Sequence, residues 1–193
     1  LVGGAQVDRG LLLIPASRSD GAQNNTFRSV GVTLNRTNTS ATGVQQIVSV
    51  APTSVDGANS FNRYLAMNVS NVYAGISLAG NSSTFDTNCE VGGFGGAPTI
   101  IGAEVANDIG NGASQTFGIR ALNQANIDIT SSVVHNITGT GTSAVDGILL
   151  ENQGAFSVSS GTCRIVGNLV FALNNTSTSA GKVTGIRALL TTN

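Results

Sequence analysis

Tryptophan is absent from this 193-residue chain, and lysine, histidine and methionine occur once each. Charge is scarce as well: 10% of residues are charged, against roughly 25% in an average soluble protein. The eight arginines and Lys182 are scattered and the formal net charge is −1, so there is no electrostatic footprint for nucleic acid. No apolar run approaches the roughly 20 residues that a membrane-crossing helix needs. Leu11–Ile14 is too short for a secretory signal and has no basic segment before it.

Cysteine is equally sparse. Cys89 and Cys163 are too few for a disulfide scaffold. They lie at similar distances after Gly75 and Gly147, which places them two repeat units apart. At a stacking distance of roughly 4.8 Å per unit their backbones would be about 9.6 Å apart, beyond disulfide reach. Both read as small buried residues.

What is abundant is glycine, 25 residues, together with Asn, Ser and Thr, on a 40% hydrophobic background. These polar residues are weak helix formers and favour turns, so the composition points to short strands. Ala125–Thr130 and Ala155–Ser159 alternate apolar and polar residues with the strand period.

The strongest signal is internal repetition. Gly118-Ile119-Arg120-Ala121-Leu122 recurs identically as Gly185-Ile186-Arg187-Ala188-Leu189. Looser copies begin at Gly31, Gly75 and Gly147, so the repeat starts are Gly31, Gly75, Gly118, Gly147 and Gly185, at intervals of 44, 43, 29 and 38 residues. Such spacing is that of a solenoid whose units stack and whose insertions collect in loops. Each later copy is preceded by an apolar segment containing an asparagine: Asn68, Asn107, Asn136 and Asn168. The identical words put Arg120 and Arg187 in one slot, facing the same side.

These words, with Val133–Gly139, Val166–Asn175 and Thr87–Gly93, resemble the right-handed parallel β-helix repeats of secreted bacterial surface proteins, within the pectin-lyase-like group. The likeness covers residues 31–190. It implies an all-β, right-handed solenoid of about five coils in which Asn68, Asn107, Asn136 and Asn168 stack as a side-chain ladder. Residues 1–30 fit the repeat poorly and are expected to form a partial coil, cap or lead-in, with residues 31–193 as the repeat domain. The chain starts at Leu1 and its last coil is unfinished, so a longer natural polypeptide is expected.

Enzymes of that shape need clustered acids, either to activate water or to hold calcium. Here no Asp-Asp pair occurs, although folding could gather Asp128, Asp146 and Glu151. His135 is expected to face outward or fill a turn. Gly92–Gly96 lacks the residues of a phosphate or calcium loop and reads as a flexible connection. Thr138, Thr140 and Thr142 alternate but do not recur from coil to coil, which disfavours an ice-binding array. Sequons at Asn35, Asn38, Asn68, Asn81 and Asn136 are expected by chance in so Asn- and Thr-rich a chain. No catalytic residue, metal ligand or cofactor is expected.

The function expected is a non-enzymatic extracellular or cell-surface segment: a stalk, adhesin or filament component. Its expected partners are neighbouring domains, copies of the same protein, and surface glycans. The alternative is a carbohydrate-binding or polysaccharide-active β-helix, with Tyr64, Tyr73, Phe61, Phe94, Phe117 and Phe171 as candidate sugar platforms.

Overall fold

Short β-prone words separated by Asn, Ser and Gly corners cannot bury an apolar face alone, but they can when stacked on copies of themselves. The computed structural model describes residues 8–152, 162–179 and 181–189, and they form a parallel β-solenoid of about five turns. The first coil comprises β1 (Arg9–Leu13), β2 (Thr26–Arg28) and β3 (Gly31–Thr33), so residues before 31 already pair within the stack. The second holds β4 (Thr42–Ile47), a 3₁₀ turn at Val55–Gly57, β5 (Arg63–Leu65) and β6 (Asn68–Ser70). The third holds β7 (Ala74–Ala79), β8 (Asp86–Thr87), β9 (Glu90–Gly92), β10 (Thr99–Ile101) and β11 (Ile109–Gly112). In the fourth come β12 (Thr116–Leu122), β13 (Gln124–Ala125), β14 (Asp128–Thr130) and β15 (Ser132–Gly139). The fifth has β16 (Val145–Glu151), β17 (Arg164–Val166) and β18 (Leu169–Asn175), and β19 (Val183–Leu189) starts the next.

Among the described residues three long parallel sheets run along the stack, and β8 and β13 pair as a fourth, two-stranded one. The first has six strands in the order β1-β4-β7-β12-β16-β19. The second joins β3, β6, β10 and β15, with β11 and β18 also on β15; the third joins β2, β5, β9, β14 and β17. The interior is made of columns with one residue per coil. Leu11, Val44, Ile76, Ile119, Ile148 and Ile186 align in the first sheet. Val32, Val69, Ile101, Val134 and Val170 align in the second. Phe27, Tyr64, Val91, Ile129 and Ile165 align in the third.

The register aligns Gly75, Gly118, Gly147 and Gly185 in a single column, continued by Gly43 and Gly10. Its cause is close approach of the first sheet to the second. A Cβ on Gly10, Gly43, Gly118 or Gly147 would stand 2.2–2.3 Å from Val32, Val69, Val134 or Val170. Gly31 does not belong to this column. It lies in the second sheet opposite Asn68, and a Cβ there would meet none of the described residues within 4 Å. Gly-Val is common to both sites, but only Gly43 faces a valine.

The asparagine ladder is also corrected. Asn68 is exposed and aligned with Gly31 and Ile100, whereas Asn168 is one step earlier in register, beside Ser132. Asn136 falls beside Ala172, and Asn107, exposed, lies in the insertion between β10 and β11. The four therefore do not share a column. Asparagine is used at corners instead, where the chain needs a left-handed residue, a conformation Asn tolerates. One corner column holds Asn24, Phe61, Asn88 and Asn126, all with φ of 55–60°. Another holds Asn71 (φ 48°), Asn136 (56°) and Ala172 (51°). At that corner Asn71 Nδ2 donates to the Leu34 carbonyl (2.7 Å) and Asn136 Nδ2 to the Ala103 carbonyl (2.6 Å), each in the preceding coil. Variable coil lengths hide this pattern in the sequence.

Of the two alternating segments, Ala125–Thr130 is broken at the Asn126 corner into β13 and β14, and Ala155–Ser159 lies outside the described residues.

Candidate functional site

In the second and third coils several interior columns turn polar. Gln46 occupies a slot filled elsewhere by Leu13, Leu78, Ala121 and Leu150. Asn62 and Cys89 stand where the next coil has Ile127, and Tyr64 stands among Val91 and Ile129. Asp86 and Gln124 are paired neighbours in the short β8–β13 ladder. Apart from Cys89, at 1%, each of these side chains and Asn59 is fully buried. Since aliphatic residues fill most of these slots in other coils, the fold itself does not require the polar set.

The set is tightly bonded. Gln46 Nε2 donates to Asp86 Oδ2 (2.7 Å) and the Asn59 carbonyl (2.8 Å), with Cys89 Sγ at 3.6 Å. Gln46 Oε1 accepts from the Tyr64 hydroxyl (2.9 Å) and Asn62 Nδ2 (3.0 Å). Asp86 is held by N–H donors: besides Gln46, the Asn59 backbone (2.8 Å) and Gln124 Nε2 (3.2 Å). The Cys89 thiol donates to the Asn59 carbonyl at 3.4 Å. Gln124 Oε1 is buried without a partner among the described residues.

Burial dominates the acid–base behaviour of this set, because a charged form loses its hydration. It raises the Asp86 carboxyl above the ordinary carboxylate range, against the lowering effect of bonds from Gln46, Asn59 and Gln124. It raises the Cys89 thiol to about 11 and the Tyr64 hydroxyl well above its usual value, and both stay protonated at neutral pH.

The second feature is an open cleft of about 420 Å³ on the outside, formed by the Gly93–Pro98 loop against Ser131–Val133, Gly167 and Leu169. Phe94, 46% exposed, stands at its edge with the Arg28 guanidinium 4.4 Å from its ring centre. Gly95 and Gly96 have φ of +60° and +84°, so the glycine-rich word is a loop built on left-handed turns.

The other residues singled out in the sequence are placed apart from these features. Asp128, Asp146 and Glu151 each form their own ion pair, with Arg164, Arg187 and Arg120 respectively. Asp146 and Glu151 sit five residues apart on one strand, about 16 Å at the strand rise. Arg120 and Arg187 do share a column, with Leu149 between them. His135 is 2% exposed rather than outward-facing, with its ring stacked on Phe171 at 4.9 Å. Of the aromatic platforms, Tyr64, Tyr73 and Phe117 are buried. Thr138 is buried, whereas Thr140 is exposed. Neither Cys89 nor Cys163 forms a disulfide, and they lie two coils apart in one column with Ile127 between them. No group of three metal-binding side chains occurs among the described residues, and none of their helices is long and apolar enough to cross a membrane.

Sequence reading missed Gln46, Asn59, Asn62 and Asp86. The available signal was the Gln45-Gln46 doublet following Gly43, where sister words carry leucine or alanine in the slot of Gln46. It is visible only once Gly43, not Gly31, is taken as the start of that repeat. Comparison with protein-family models, curated proteins and solved structures returned no match.

Proposed function

We propose that this chain is a non-enzymatic structural or adhesive segment of an extracellular or cell-surface protein, a right-handed β-helix of the pectin-lyase-like type. The observation that carries the reading is the direction of its side-chain bonding. All four ion pairs among the described residues (Arg63–Glu90, Arg120–Glu151, Arg164–Asp128 and Arg187–Asp146) join successive coils. The corner amides of Asn71, Asn123 and Asn136 also donate to carbonyls of the preceding coil. Each exposed ion pair contributes only about 0–1 kcal/mol. Their common orientation along the axis, added to the parallel ladders, suits a rod that keeps its shape under load. A near absence of lysine suits a proteolytic exterior.

The test is a panel of polysaccharides assayed for depolymerisation together with binding to glycan arrays. No turnover of any polysaccharide is expected, and release of oligosaccharide products would overturn the reading.

The cleft beside Phe94 favours a second reading, a carbohydrate-binding solenoid, because an exposed ring above an open groove can stack on a sugar face. Glycan binding abolished by Phe94→Ala would support it; unchanged binding would exclude this cleft.

A further inference from the structure

The buried network around Gln46 joins four elements of one reaction. Its amide oxygen already accepts two donors, Tyr64 and Asn62, at 2.9 and 3.0 Å, where negative charge would develop if the carbonyl carbon were attacked. Its amide nitrogen contacts a carboxylate, Asp86, at 2.7 Å. The same nitrogen contacts a thiol, Cys89 Sγ, at 3.6 Å. Water is excluded from the group, since Gln46, Tyr64, Asn62 and Asp86 are fully buried and Cys89 nearly so. Gln46, Tyr64 and Cys89 each replace an aliphatic residue found in the same column of another coil.

We propose that Cys89 and Gln46 join autocatalytically as an internal thioester, which ties the second coil to the third.

In this step the Cys89 sulfur attacks Gln46 Cδ while its proton passes to the Asp86 carboxylate. A C–S bond forms, and the tetrahedral oxyanion is held by Tyr64 and Asn62. Asp86 then returns the proton to the nitrogen as the C–N bond breaks, and ammonia leaves. Thiol and primary amide become thioester and ammonia, with no oxidant, reductant or further reactant. The neutral thiol needs a base at the moment of attack. A carboxyl raised by burial is a stronger base than an ordinary one, and its protonated form serves the leaving nitrogen. Exclusion of water protects the product from hydrolysis. The inference is independent of the proposed function and makes no claim about the outer surface.

Intact-mass measurement of the wild-type chain under denaturing acid, after incubation in the folded state, is the direct test. The expected mass is lower by one ammonia, with the Gln46 and Cys89 peptides linked. Alkylation of the denatured chain should then label only Cys163, and methylamine should release the second thiol. Cys89→Ala should keep the full mass, which separates this loss from succinimide formation at Asn111-Gly112. Asp86→Asn, if its circular dichroism matches wild type, should form the link at least tenfold more slowly. Full mass with two alkylated thiols in the wild type would overturn the proposal. So would an ammonia loss that persists in Cys89→Ala, or an unchanged rate in folded Asp86→Asn.

Discussion

Gly118 faces Val134 so closely that a Cβ on the glycine would lie 2.2 Å from Val134 Cγ1 and 2.7 Å from the Gly147 carbonyl oxygen. The second neighbour is backbone and cannot rotate away. Gly118→Ala should therefore force the first and second sheets apart and cost about 3 kcal/mol, the upper range for overpacking. At Gly185, in the same column, an added Cβ would meet none of the described residues within 4 Å. Gly185→Ala should change stability by no more than about 0.5 kcal/mol. Paired denaturation curves check the contrast; equal effects would disprove the close-approach explanation.

Phe61 takes a φ of 60° in a corner column otherwise made of asparagines, and the residue is 46% exposed. A bulky residue is disfavoured in this conformation, by roughly 1–2 kcal/mol. Phe61→Asn should raise the unfolding free energy by about 1 kcal/mol, read as a higher denaturant midpoint with an unchanged slope.

Asn136 and Asn68 separate the two accounts of the asparagines. Asn136 bonds the preceding coil through its amide and holds a left-handed corner, whereas Asn68 is exposed on a strand. Asn136→Ala should cost about 1–2 kcal/mol and Asn68→Ala less than about 0.5 kcal/mol. Equal losses in thermal unfolding would restore a common ladder role.

Asp86 should give stability an unusual pH dependence. Its folded-state pKa is raised by burial, so the native state binds a proton more tightly than the unfolded chain. Its contribution is fully present below the unfolded value, about 3.9, and is lost as pH rises through the raised folded value. On a Cys89→Ala background, where the Gln46 amide stays intact, the stability difference between Asp86 and Asp86→Asn chains should move against Asp86 as pH rises through that window. A difference that is flat with pH would contradict the raised pKa.

Architecture was legible in the sequence because its cause is local. Glycine, asparagine and β-branched words set strands and corners one coil at a time, and two identical copies of Gly-Ile-Arg-Ala-Leu expose the stacking. Register was less legible. Gly31 and Gly43 both precede valine, and only the facing Val69 tells which glycine must lack a side chain. The asparagines of the expected ladder share flanking residues but not corners, since insertions such as residues 102–108 alter the distance between marks.

Taken alone, the sequence determined the all-β solenoid, the scarcity of charge and the common slot of Arg120 and Arg187. These follow from composition and periodicity, which act residue by residue. Only the tertiary structure decided that Gln46, Asp86 and Cys89 meet. They come from two coils and two segments, β4 and the stretch from β8 to β9, and nothing in the spacing of Gln46 from the other two marks the contact. It arises because stacking in parallel register sends their side chains into the same stretch of interior, where burial then sets their hydrogen bonding and acid–base character.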